Sequence, residues 1–260
     1  MEAEYDKIAR QFKKSRELPF RTDVEEFTVF EMLGDPAGLS VLDLACGEGH
    51  YARQLRRKGA AKVVGVDLSE AMISLAREAD ANEPLGIEYR QGAVEDLGVI
   101  GQFDVVTAVY LLHYATSRTA LDAMLVEIAA NLKPGGRLIA VISNFAPGSA
   151  IDIAKYGWSL ASPVPSEEGK PYRLCLLSGP DAFEIENYLY SRHTYEEGLA
   201  RAGFGTARWH APQVSDEGLR RKGAEYWREF LEHQPIIGLE AEKMREYPRP
   251  NPVVGHQSEG

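Results

Sequence analysis

Residues Val41-Leu42-Asp43-Leu44-Ala45-Cys46-Gly47-Glu48-Gly49-His50 carry an apolar strand straight into a glycine-rich bend and then a helix, and no other stretch restricts the fold as tightly. Glycine is needed where backbone passes close to a ligand, because a Cβ there would fill the ligand's space. Alone, the bend leaves its ligand open, since Gly47-Glu48-Gly49-His50-Tyr51-Ala52 also fits the G-x-G-x-x-[GA] fingerprint of dinucleotide sites. The chain around the bend is regular. From Val41 to about Ile142, apolar runs alternate with helical segments: VLDLA, a helix through Leu55, VVGVD, a helix from Ser69 to Glu78, IEYRQG, FDVVTAV, a helix around Leu121 to Leu132, and RLIAVI. That alternation predicts an α/β fold with a mostly parallel sheet covered on both faces.

The flanks differ in character. Residues 1–33 place Tyr5, Ile8 and Phe12, then Phe27, Phe30 and Leu33, at helical spacing, with an interruption at Pro19, so two short helices precede the sheet. After Asn144 the chain becomes rich in Gly, Pro and aromatics through Pro180, as expected of a loop-rich insertion that lines a pocket. Residues 182–190 read as a strand, His193 to Ala202 as a helix capped by Thr194, and Gly205 to Val214 as another strand. Asp216 to Leu231 is amphipathic, and the residues beyond Tyr247 read as a disordered tail.

Charge and cysteine usage exclude several function classes. With 29 basic against 39 acidic residues the net charge is −10, which repels a polyanion, so nucleic acid is not the expected partner. The basic runs Lys13-Lys14-Ser15-Arg16 and Arg220-Arg221-Lys222 adjoin acidic residues and read as solvated helix faces. Only Cys46 and Cys175 are present, far apart, which argues against a disulfide framework or a metal site and for a reducing interior. No apolar run reaches membrane-spanning length, and the charged start is unlike a secretory signal, so a cytoplasmic location is expected.

Three stretches resolve the ambiguity of the bend by resemblance. DLACGEG resembles the first motif of class I methyltransferases that use S-adenosylmethionine (AdoMet). The resemblance implies that Asp43 lies near the cofactor's ammonium, directly or through water, while the backbone of Ala45, Cys46, Gly47 and Gly49 meets its carboxyl end. Val63-Val64-Gly65-Val66-Asp67 ends a strand on a carboxylate suited to accept from both ribose hydroxyls, a feature shared with NAD sites. In the methyltransferase family, residues placed like Leu68 and Met72 sandwich the adenine. Leu132-Lys133-Pro134-Gly135-Gly136-Arg137-Leu138 is similar to the family's helix-to-strand turn, although Pro and Gly there also have a purely structural use. One position departs: Gln91-Gly92-Ala93-Val94 has Ala93 where the family commonly carries an acid for the adenine amino group, leaving the Val94 backbone, Glu95 or Asp96 to serve.

The resemblance implies a Rossmann-like fold of seven mostly parallel strands with helices on both faces and an antiparallel late strand. It divides the chain into an N-terminal helical lid (1–33), an AdoMet-binding core (34–144), a pocket insertion with late strands and helices of the same domain (145–245), and a tail (246–260). Tyr5-Asp6-Lys7-Ile8-Ala9 with Phe12 is similar to a segment that lids the cofactor in small-molecule members, which gives Tyr5 a contact to the cofactor carboxylate, with Arg21 as helper. The same residues also form the apolar stripe of a docked helix.

AdoMet carries an activated methyl, so the protein must chiefly align a nucleophile, with a base if that nucleophile bears a proton. The segment Val109-Tyr110-Leu111-Leu112-His113-Tyr114 falls beyond a strand's carboxyl end, where such sheets bind ligands, and makes His113 the first candidate for base or substrate orienter. A histidine holding the loop through backbone bonds is the equal alternative. Tyr110 and Val109 read as walls of the site. The far wall is expected from Tyr156, Trp158, Tyr188, Tyr190, Arg192, His193, Trp209 and His210, aromatics that imply a planar acceptor. The start YDKIARQFKKSRELPFR, with WHAPQVS and PIIGLEA, resembles small-molecule methyltransferases of the toxoflavin-synthase type. The expectation is therefore C- or N-methylation of an aromatic heterocycle in secondary metabolism by a monomer or homodimer, with S-adenosylhomocysteine as second product. A small-molecule O-methyltransferase, an NAD-linked oxidoreductase and an inactive AdoMet-binding subunit are the alternatives.

Overall fold

The computed structural model describes residues 4–177 and 179–245; the expected tail at 246–260 lies outside them. Two helices, α1 (Glu4–Ser15) and α2 (Glu26–Leu33), with a π-helical turn Arg21–Glu25 leading into α2, precede the first strand β1 (Ser40–Leu44). Next come α3 (His50–Arg57), β2 (Lys62–Asp67), α4 (Glu70–Asn82), β3 (Glu88–Gln91), β4 (Phe103–Val109), α5 (Arg118–Asn131) and β5 (Leu132–Ser143). Strands β3, β2, β1, β4 and β5 lie side by side in that order, all parallel. The order reverses between β1 and β4, and a crevice opens beyond the strand carboxyl ends at such a reversal.

Apolar residues of each strand alternate between two cores because successive side chains point to opposite faces. Val41, Val63 and Val105 pack on one side with Phe12, Leu55 and Ile73, and Leu42, Val64 and Val106 pack on the other with Leu125 and Ile128. Asp43 falls between Leu42 and Leu44 and so shares a face with Val41. Ser69 starts α4 by accepting from the Met72 N–H, and Ser117 starts α5 by accepting from the Ala120 N–H, each satisfying a donor the helix leaves open.

The second half departs more from expectation. The presumed loop-rich insertion holds β6 (Trp158–Leu160) and β7 (Pro171–Leu176), which join β8 (Phe183–Tyr188) in a separate antiparallel sheet. Tyr172, Leu174 and Leu176 of β7 alternate inward against exposed Arg173. Gly169 and Pro171 on one side of the run, with Gly179 and Pro180 on the other, made the stretch read as loop. Helix α6 (Arg192–Arg201) is capped by Ser191, whose hydroxyl accepts from the Thr194 N–H; Thr194 is buried in its first turn. The expected strand from Gly205 shrinks to β9 (Arg208–His210), and the amphipathic stretch breaks at Gly223, φ +79°, into α7 (Asp216–Lys222) and α8 (Ala224–His233).

Strand β10 (Ile236–Glu242) completes a seven-stranded sheet by inserting antiparallel between β5 and β9. Buried on both faces, it shows no alternation to reveal it. Its one buried charge, Glu240, is held by Arg137 at 3.2 Å, Arg208 at 2.8 Å and His210 at 3.0 Å. Among the described residues no helix is long and apolar enough to cross a membrane, and no group of three His, Cys, Asp or Glu side chains is placed to hold a metal.

Candidate functional site

The crevice at the reversal point is a cavity of about 340 Å³, within the size range of ligand pockets. It is built on the bend after β1. Ala45 and Gly47 both have positive φ, 52° and 55°, which turns the backbone sharply enough to present it to the cavity. Asp67, at the tip of the neighbouring β2, fixes that turn: Oδ2 accepts from the Gly47 N–H at 2.8 Å, and Oδ1 accepts from the Ser69 N–H at 2.9 Å. A carboxylate has about four acceptor positions, so Asp67 keeps one on each oxygen for a ligand's hydroxyls. Burial pushes its pKa up, while the two backbone donors pull it down.

The expected cofactor residues divide into those that line this cavity and those beneath it. Tyr5, Ala45, Gly47, Asp67, Leu68, Met72, Ala93, Val94 and Val109 line it. Leu68 is 58% exposed, whereas Met72 is 1% exposed, so the two offer a loose outer wall and a fixed inner one. Beside Ala93, Glu95 is the acid that lines the cavity, and Asp96 faces solvent.

Asp43, Cys46 and Gly49 do not line it. Asp43 is buried, with Oδ1 accepting from the Thr107 hydroxyl at 2.7 Å and Oδ2 left without a partner. Burial raises its pKa to about 6 against the opposing pull of Thr107 and Arg16. The Cys46 thiol is turned inward, so that a Cβ on Gly65 would stand 3.0 Å from Sγ, and burial drives its pKa well up. Gly49, φ +80°, starts α3 against Tyr89, whose ring carbon Cζ would lie 2.9 Å from an added Cβ. Cys46 and Gly49 therefore support the bend, while Asp43 keeps one buried acceptor, Oδ2, open beneath it.

The N-terminal segment closes over the cavity. Asp6 on α1 accepts from the Ser69 hydroxyl at 2.5 Å and the Ala71 N–H at 3.1 Å, latching α1 to the start of α4. The Tyr5 hydroxyl pairs with that of Tyr114. Arg16, expected on a solvated face, is mostly buried and lines the cavity, bound to Glu25 at 2.7 Å and close to Glu48 at 3.8 Å. Arg21 lies elsewhere, as a correction to its expected place: it lines a second chamber and binds Glu25 at 3.2 Å. Glu25, wholly buried, also accepts from the Tyr51 hydroxyl at 2.8 Å. Burial alone would raise its pKa, but Arg21 and Arg16 hold it below the usual value. A basic run gave no sign of this pairing because its partner lies across the π-helical turn.

The second chamber meets the first at Phe12, Tyr110 and Tyr114, which line both. It is small, with room of about 20 Å³, little more than one water needs. His113, Ser143, Trp158, Ile185 and Asn187 line it with Arg21, and Phe20 stacks on Trp158 at 4.8 Å. His113 is 1% exposed, and burial lowers its pKa to about 3.

Of the expected far wall only Trp158 reaches this chamber. Tyr156 is packed against Trp227 and Phe230, its hydroxyl donating to the Tyr226 carbonyl. The Tyr190 hydroxyl donates to the Ala115 carbonyl and so ties down the loop after β4. Arg192 and His193 are exposed at the start of α6, Arg192 over the Trp209 ring and His193 beside Glu197. Tyr188, Trp209 and His210 bind Glu186, Glu196 and Glu240. Asn187 and Ser143 were missed, although a polar residue at an inward position of Phe183-Glu184-Ile185-Glu186-Asn187 was a legible signal.

Comparison with known proteins agrees with this geometry. Residues 41–136 match the family model of a methyltransferase domain. The ubiquinone biosynthesis O-methyltransferase of Xanthomonas axonopodis pv. citri is 34% identical over 117 residues, 44% of this chain and 47% of that protein. The chain thus spans about half the length of the curated relatives it matches. An S-adenosylmethionine-dependent methyltransferase from Mesorhizobium loti superposes with a TM-score of 0.64 at 21% identity, over 88% of this chain and all of that one. The [4+2]-cyclase SpnF shares the fold too, with a TM-score of 0.58 at 18% identity over 93% of this chain and 95% of that one. At such identities the likeness concerns the fold, which by itself names no reaction.

Proposed function

We propose that the chain is an AdoMet-dependent methyltransferase that methylates an oxygen of a small, planar acceptor. The observation that carries this is the pair of chambers meeting at Phe12, Tyr110 and Tyr114: a large one built on the Asp67-braced bend, and a small one lined mostly by buried side chains beside it. The residues present fit the cofactor. Asp67 keeps acceptor positions for two ribose hydroxyls, Asp43 Oδ2 is a buried acceptor lacking the donor that an ammonium, or a water bound to it, would supply, and Met72 with Leu68 flanks a flat ring site. Arg16, whose Nε makes no hydrogen bond, and Tyr5 suit the carboxylate end, and Glu95 suits an exocyclic amine.

Bound there, AdoMet supplies an electrophilic methyl group. The chain's own work is positioning and exclusion of water, which supply much of the rate in a transfer of this kind. Tyr110, Tyr114 and Phe12 form the neck through which donor and acceptor face one another, and α1, latched by Asp6, roofs it.

Oxygen is preferred as acceptor because the matched relatives are named as O-methyltransferases and because the inner chamber is lined by hydrogen-bond donors. Methylation of carbon or nitrogen in an aromatic heterocycle is the second reading, favoured by the aromatic lining of Phe12, Phe20, Tyr110 and Trp158. Calorimetry with S-adenosylhomocysteine and with NAD tests the cofactor. A panel of phenols and heterocycles, read by the mass gain of one methyl group and by the site of that methyl in the product's NMR spectrum, tests the acceptor. Binding of NAD alone, or no methylated product across the panel, would refute the reading.

A further inference from the structure

Among the described residues eleven buried side-chain polar atoms lack a partner, and five belong to residues lining the small inner chamber: Arg21 Nε, Tyr110 Oη, His113 Nε2, Trp158 Nε1 and Asn187 Oδ1. Tyr110 faces the Glu25 carboxylate without closing a bond to it. The other four side chains are at most 3% exposed, so bulk solvent does not reach them. Unpaired buried groups are scarce in folded proteins because each costs the loss of its hydration, and a concentration of them around one cavity points to a ligand that completes them.

The direction in which His113 bonds is set by its partner. The Ser143 backbone N–H, which can only donate, points to His113 Nδ1 at 3.2 Å. Nδ1 must then be the bare nitrogen, and in a neutral imidazole the proton sits on Nε2. Ser143 is itself fixed, as the last residue of β5 paired with Ile236, and its hydroxyl accepts from Asn187 Nδ2 at 2.9 Å. The titratable and charged groups around the chamber are Arg21, Tyr110 and Tyr114, with Tyr172 behind Ser143 and Asn187 and with Glu25 behind Arg21, already held by Arg16, Arg21 and Tyr51. Among the described residues no carboxylate lines the chamber.

We infer that the inner chamber binds its acceptor as an ionised oxygen, a phenolate or enolate, received by His113 Nε2–H, Trp158 Nε1–H and the Arg21 guanidinium, with His113 a hydrogen-bond donor and not a general base. This rests on the methyltransferase reading and sharpens it: an oxygen that binds as its anion leaves no proton for a side chain to take. Asn187 Oδ1 adds the complementary requirement, an N–H or O–H elsewhere on the acceptor. Because the chamber has room for little more than one water, its walls must move to admit a ring.

Two measurements test this, the first independently of the cofactor. Long-range proton–nitrogen correlation spectra of ¹⁵N-labelled protein should show His113 neutral and protonated on Nε2 from pH 5 to pH 8; a proton on Nδ1, or an imidazolium in that range, overturns the inference. Protein saturated with S-adenosylhomocysteine, its binding verified by calorimetry, is then titrated with 4-nitrophenol at a pH where the free phenol is mostly neutral. The yellow anion should form on the protein. His113→Gln, which keeps a donor, should bind that anion within a few fold of the parent, and His113→Phe about tenfold or more weakly. Absence of the bound anion, or equal binding by the Phe variant, overturns the inference. Failure of S-adenosylhomocysteine to bind would instead strike the methyltransferase reading, leaving the histidine spectrum to stand or fall alone.

Discussion

Replacing Asp67 by asparagine gives the sharpest test of the cofactor cradle, because the change is isosteric and the structure says what it breaks. Oδ2 accepts from Gly47 N–H at 2.8 Å and Oδ1 from Ser69 N–H at 2.9 Å. An amide can accept at only one of these places, so its NH2 group must face a backbone donor at the other, at a cost of about 1–3 kcal/mol to the set of the bend. A ribose hydroxyl loses a charged acceptor as well, worth about 1.5–3 kcal/mol. The sum, about 2.5–6 kcal/mol, corresponds to S-adenosylhomocysteine binding weakened by about 60- to 20,000-fold. The fold should survive, because a neutral amide is spared the desolvation that the buried carboxylate suffers, as its raised pKa records. Calorimetry gives the affinity and circular dichroism the fold. A well-folded variant binding within threefold of the parent would refute the assignment of Asp67 to the ribose. Asp67→Ala, which removes both braces, should abolish detectable binding.

Other consequences are equally open to measurement. Asp43 has its pKa raised from 3.8 to about 6, so it costs the fold nothing below pH 4 and a growing penalty as pH rises through 6, reaching about 3 kcal/mol. Asp43→Asn should therefore be more stable than the parent in urea at pH 7.5 and equal to it at pH 4, and a loss of stability at pH 7.5 would contradict this. His113 is depressed to about 3, so its contribution is complete above pH 6.5 and lost as pH falls toward 3, about 2 kcal/mol by pH 5. His113→Gln should blunt acid unfolding across that window, and an unchanged profile would count against the burial argument. Asp6→Ala removes the latch from α1 to Ser69 and Ala71, about 1 kcal/mol for a half-exposed pair of bonds, and should speed proteolysis within α1 before the rest of the chain is cut. Gly49→Ala sets a Cβ against the Tyr89 ring at φ +80° and should lower Tm by about 4–10 °C.

Where the chain's covalent order imposes a local pattern, the residues alone were enough. The run from Asp43 to Gly49, and Asp67 twenty positions after Gly47, fixed a bend and a carboxylate at neighbouring strand tips because a parallel sheet places consecutive βα turns side by side. Leu68, Met72 and Val94 came from the resemblance to the methyltransferase family, and they line the cavity. A twice-buried strand such as β10 loses the alternation by which strands are read, and its Glu240 finds Arg137, Arg208 and His210 only once the sheet is closed.

The inner chamber belongs wholly to tertiary structure. Arg16 closes a basic run and Arg21 precedes an acidic one, yet Glu25 draws both beneath the lid, one to each cavity. Arg192 and His193 look as chemically able as His113, but the Ser191 cap leaves them at an exposed helix start. Which histidine nitrogen carries a proton was decided by one backbone N–H, Ser143, thirty residues away in the chain. Local order dictates what a segment can form, whereas burial and partnership across distant segments settle which charges and donors are left facing a ligand.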